Sequence, residues 1–159
     1  MINQDGRPGR ELVLADGLSP ADVVLVHREA LRVLRSSIDT AHVDAYSDDA
    51  WPPEALNAYE RALTLARRET AAGIRSRRAD PGTGIEIDVR DDAQFELLLD
   101  LAPYTIDAEG WQGERLVFSA SDSGTALWIA VTDEQAVQLL ARLDASGILP
   151  TALSAPPSR

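Results

Sequence analysis

The chain contains no cysteine and no lysine. Without cysteine there can be no disulfide, thiolate metal ligand, iron–sulfur cluster or cysteine nucleophile. Without lysine there is no Walker-type phosphate-binding lysine, no Schiff base and no attachment point for pyridoxal phosphate. All 15 basic residues are arginine. Histidine is nearly absent too: His27 and His42 are the only two. A catalytic zinc site, which usually brings two or three histidines, is therefore poorly supplied. Aromatic residues make up only 5% of the chain, so the core must be built mainly of Leu, Val, Ile and Ala. Long apolar runs are missing as well. "VVLV" and "LWIAV" fall far short of the ~20 residues that span a bilayer. The first residues, "MINQDGRPGR", are polar and lack the apolar centre of a secretory signal. A cytoplasmic location with no membrane contact is expected.

What is present is a normal globular composition of 159 residues, 45% hydrophobic and 26% charged. The formal net charge is −11, unevenly spread. Residues 1–80 hold 11 Arg against 13 Asp/Glu, whereas residues 81–159 hold 4 Arg against 13. An acidic second half repels nucleic acid and anionic membranes and suits a basic protein partner.

Two segments differ in periodicity. "LSPADVVLVHREALRVLRSSIDTA" predicts a helix, with Ser19 as N-cap, Pro20 in the first turn and apolar residues at 3–4 spacing. A second helix is predicted from "WPP" to about Arg77, stopped by "DPGTG". Within it, "ALNAYERALTL" (55–65) is similar to the second helix of a tetratricopeptide repeat in its small and aromatic positions. Val43 stands where the repeat's glycine belongs, and no period of ~34 residues exists. Generic helix packing accounts for the pattern.

In the second segment, "GIEIDV", "YTIDA", "ERLVFSA" and "TALWIAV" read as strands, the last two joined by a "SDSG" turn. "DDAQFELLLDLAP" reads as a helix with its acidic start and proline stop, although its alternation also suits a strand. "TDEQAVQLLARLDASG" is a helix with a Thr132/Gln135 capping box. The expected fold is α+β: an N-terminal antiparallel helical hairpin packed with a small, mostly antiparallel sheet of three to four strands and a C-terminal helix. The expected organisation is a flexible arm at 1–10, a single domain at 11–146 and a tail at 147–159. Within the domain, residues 11–80 form the hairpin and 81–146 the sheet and last helix.

No convergent catalytic set stands out, and no catalytic residue or cofactor is expected. The loop "AHVDAYSDDAW" gathers His42, Asp44, Asp48 and Asp49, which are weak candidates for a divalent metal. Its calcium-loop register is wrong, however, and polar residues are what helix connectors are made of. His27 sits on an apolar stripe and reads as a packed core histidine. Glu86 and Asp88 share one strand face, and Trp128 shares a face with two alanines. These three are the candidate partner-binding residues. The expected function is a non-catalytic acidic protein-binding module, of accessory, regulatory, immunity or antitoxin type. A small metal-dependent enzyme using an Asp/Glu-rich site and a small-ligand sensor are the alternatives. The expected partner is a protein, a basic one suiting best, with a homodimer left open.

Overall fold

The computed structural model describes residues 9–47, 51–74 and 80–157. The chain runs β1 (Arg10–Leu14), α1 (Pro20–Leu34), β2 (Thr40–Val43), α2 (Leu56–Ala71), β3 (Ile85–Ile87), α3 (Asp92–Leu101), β4 (Asp107–Gln112), β5 (Arg115–Ser121), β6 (Ala126–Val131), α4 (Asp133–Ala145) and β7 (Leu153–Ser154). The strands form one antiparallel sheet in the order β3-β2-β4-β5-β6-β1-β7.

The α+β class holds, but the expected helical hairpin and sheet of three to four strands do not. The sheet has seven strands and begins at β1, ahead of any helix. Instead of pairing in a hairpin, α1 and α2 are separated in sequence by β2; α1 packs on α4 and α3, and α2 packs on α3. The physical cause lies at the end of α1. After a single 3-10 turn at Arg35–Ser37, Asp39 leaves the helix, and its N–H donates to Trp111 O at 2.7 Å. Its carboxylate accepts the Gly113 N–H at 2.7 Å. Ile38 and Thr40 are β-branched and favour the extended chain that follows. Residues expected to prolong the helix instead pair with β4.

The helix starts follow local chemistry. Ser19 accepts the Asp22 N–H at 3.2 Å and Asp91 accepts the Gln94 N–H at 3.0 Å. Thr132 and Gln135 complete both bonds of the capping box. Asp91 thus makes "DDAQFELLLDLAP" a helix, and Phe95, Leu97, Leu98, Leu99 and Leu101 are buried on it because it lies between α1, α2 and the sheet. α2 buries only Ala58, Ala62 and Ala66, small residues that let its backbone come close to α3.

Cross-strand register sorts the sheet into two unlike faces. Ile85 and Ile87, Ala41 and Val43, Ala108, Phe118 and Ala120, Leu127 and Ile129, and Leu12 share one face and are all buried. That face carries the helices. A bulge between Gly110 and Trp111 lets Val117 and Phe118 both enter the core. Gly110 packs closely there: a Cβ would stand 2.9 Å from Ile38 Cδ1 and require that side chain to shift.

Candidate functional site

The second face of the sheet is open. One continuous row of cross-strand partners runs along it: Glu86, His42, Glu109, Ser119, Trp128, Val13 and Ser154. Not one of the seven is fully buried, in contrast with the core side. The row changes character part-way. On β3, β2 and β4 it is acidic, with Glu86, Glu109 and, one pair along, Asp107. On β5, β6 and β1 it is neutral and apolar, with Ser119, Trp128 and Val13 flanked by Leu116, Ala126 and Ala130.

The candidate residues from sequence take up different roles. Glu86 is exposed and directly opposes His42. Asp88 lies just past β3, and its carboxylate accepts from Arg90 N at 3.0 Å and Arg90 Nε at 3.4 Å. The backbone bond from Arg90, above all, holds the Asp88 carboxyl below the usual range. Trp128 is half-buried, four strands from Glu86 in the same row. Asp44 follows β2 and accepts the Gly84 N–H at 2.6 Å, so it closes a loop. Asp48 and Asp49 lie outside the described residues.

Two acidic residues that sequence reading did not single out complete the arrangement. His42, Asp107 and Glu109 each place one ligand-type atom within 4.8 Å of the others. His42 Nε2 lies 3.2 Å from Glu109 Oε1. Burial pushes the Asp107 carboxyl up, and the Glu109 and Asp44 carboxylates add to the rise while His42 opposes it. The signal was available: "DAEGW" alternates acid, small, acid, small, aromatic, as a strand with one wet face does. A cavity of about 620 Å³ opens beside this cluster, lined by Thr40, His42, Glu86 and Trp111 of the sheet and Leu65 and Glu69 of α2.

The orientation of His42 tells what the cluster can do. Its Nδ1 is buried and has no hydrogen-bond partner among the described residues. A histidine that ligates a metal through Nε2 normally donates Nδ1–H to a carbonyl or carboxylate behind it. Here that donor would be stranded. If instead Nε2–H donates to Glu109, Nδ1 carries only a lone pair, which leaves no donor unsatisfied. His27 is different again: fully buried, it donates Nδ1–H to Val23 O at 2.8 Å, so it is a core residue.

No protein-family profile, curated protein or solved structure matches the chain. No helix among the described residues is long and apolar enough to cross a membrane.

Proposed function

We propose that this chain is a non-catalytic protein-binding module and that its interaction surface is the open face of the sheet. One observation carries the reading: a row of partners crosses the whole sheet on the face opposite the core, flanked by α2 only at its β3–β2 end, and no member of it is fully buried. An antiparallel sheet can leave one face to water, and such a face is then usually lined with polar residues; this one also carries Trp128, Val13 and Leu116. An aromatic residue at mid-sheet with small neighbours is the usual anchor of such a contact, and acidic residues beside it steer the encounter. Trp128 supplies the first, and Glu86, Asp107 and Glu109 supply the second.

The test is size analysis of the tagged chain in extracts of its own cells. A discrete complex is expected that survives Val137→Asp on the outer side of α4 and is lost in Trp128→Ala combined with Glu109→Arg. Loss with Val137→Asp and retention with the sheet variant would refute the reading.

A divalent-metal site at His42, Asp107 and Glu109 is the second reading, favoured by the 4.8 Å grouping of their ligand atoms. A metal bound only by the folded chain raises its melting temperature with concentration. On this second reading Zn²⁺ or Mn²⁺ stabilises the protein, and His42→Gln abolishes the effect. On the first, neither ion does so.

A further inference from the structure

The two halves of the open face specify the chemistry of what covers it, given that this face is the interaction surface. Its strand positions are Glu86; Thr40 and His42; Asp107, Glu109 and Trp111; Leu116, Ser119 and Ser121; Ala126, Trp128 and Ala130; Glu11 and Val13; and Ser154. Arginine is absent from all of them. Among the described residues, Arg90 comes nearest, lining the cavity beside Glu86 and pairing with Asp88, and other arginines serve the fold. Arg28 and Arg35 bridge to α3, while Arg32 and Arg142 meet on Glu29. Glu86 makes no ion pair among the described residues, and Glu109 is matched only by a histidine.

We propose that the occupant is a protein segment carrying a cluster of Arg or Lys next to an apolar anchor. The cations lie over Glu86, Asp107 and Glu109, and the anchor rests on Trp128 and Val13. Charge complementarity selects the cation. The apolar half selects the anchor, because Trp128 with exposed Ala126 beside it leaves room for a bulky side chain. A cavity of about 250 Å³ lined by Val13, Ser119, Ala126 and Trp128 is a seat for it. Strand spacing sets the separation: Glu109 and Trp128 are two strands apart, about 10 Å, and Glu86 and Trp128 four, about 19 Å. A second copy docked open face to open face is a poor occupant, since that face would bring the same carboxylates and no arginine.

Three synthetic peptides test this against the isotope-labelled full chain by backbone NMR. One has three Arg, a four-residue Gly/Ser spacer and three Leu. The spacer reaches up to about 14 Å when extended, enough for the nearer separation. The second keeps only the arginines and the third only the leucines. The bipartite peptide is expected to bind at least about tenfold tighter than either half, as two linked contacts do. Its shifts should fall on the amides of β2, β4, β5 and β6. Trp128→Ala should reduce it to the affinity of the arginine peptide, and Asp107→Asn with Glu109→Gln to that of the leucine peptide.

A bipartite peptide no tighter than the arginine peptide would overturn the inference, as would shifts confined to the helices. A leucine peptide binding the open face as well as the bipartite one would overturn the basic chemistry yet leave the open-face reading standing. Broadening of open-face amides with protein concentration alone would show a second copy there and overturn the inference equally. Failure of the interaction reading itself registers separately, in the complex that survives the sheet variant.

Discussion

His42 and Glu109 face each other across β2 and β4, with Nε2 3.2 Å from Oε1, while His42 Nδ1 is buried without a partner. This pair joins the acidic rim of the sheet to its centre and fixes which ring nitrogen holds the proton in the neutral form. We expect the Nε2–H tautomer, readable from the two ring-nitrogen shifts. Glu109→Leu should release the ring and give mixed tautomers. An Nδ1–H tautomer in the unaltered chain would contradict this geometry.

Asp107 works against stability at neutral pH. Burial and the neighbouring carboxylates raise its folded pKa above the ordinary 3.8. The folded chain then holds this proton to higher pH than the unfolded chain, so this group's contribution falls as pH rises above 3.8. Asp107→Asn removes the penalty. At pH 7 it should raise the melting temperature by about 1–3 °C, a gain that shrinks as the pH approaches 3. The same substitution should weaken binding of a basic partner, the usual conflict of function with stability.

His27 gives the opposite pH dependence. Burial lowers its pKa from 6.5, outweighing the bond to Val23 O that favours the proton. The unfolded chain therefore binds the proton more readily. The stability this implies is complete above pH 6.5 and is lost as pH falls from there toward the depressed folded value. His27→Phe should leave stability at pH 7 within about 2 kcal/mol. It should also flatten the decline of the urea midpoint below pH 6.5. A decline of unchanged slope in the variant would place the acid sensitivity elsewhere.

Glu29 is the joint between α1 and α4. It is 8% exposed and accepts from Arg142 Nε and, at 2.9 Å, from Arg32 Nη1. Both arginines reach solvent, which moderates the gain. Glu29→Ala should cost about 1–2 kcal/mol in urea unfolding, and Glu29→Gln less, because an amide oxygen can still accept.

Gly124 closes the β5–β6 turn at φ +95°, and a Cβ there would stand 2.3 Å from Pro103 O. Asp122 and Ser123 before it also take positive φ, at 55° and 57°. Gly124→Ala should destabilise by about 2 kcal/mol or more, since strain and overlap act together. A denaturant midpoint unchanged from the parent would contradict the tight approach of this turn to Pro103.

Much of the fold could be read from periodicity and caps, and the failures share a cause. Helices α1, α3 and α4 announced themselves through Ser19, Asp91 and Thr132, whose side chains act within four residues. β5 and β6 have large inward residues, Phe118, Leu127 and Ile129, and were legible. The strand read at "YTIDA" falls ahead of β4 because the inward residues of β4 are Ala108 and Gly110, the latter packed under Ile38 and Phe118. Hydrophobic alternation vanishes when the inward side chain must be absent. β2 straddles the predicted helix end and the loop after it, since a four-residue strand needs its neighbours to exist. β1 and β7 pair with strands more than a hundred residues away or with each other, a relation that no local window contains. Missing β2 and misplacing β4 also hid the open face. With His42 in a connecting loop, nothing in the sequence links it to Asp107 and Glu109.

Site-specific photo-cross-linking in the cells that make this chain decides whether a partner covers the open face. A benzophenone side chain is placed at Ser119, at the centre of the open row, and separately at Val137 on the outer face of α4. One discrete adduct is expected from position 119, weakened by high salt and by Glu109→Gln, with none from position 137. Adducts from position 137 alone, or none from position 119 in cells where the chain is abundant, would contradict it.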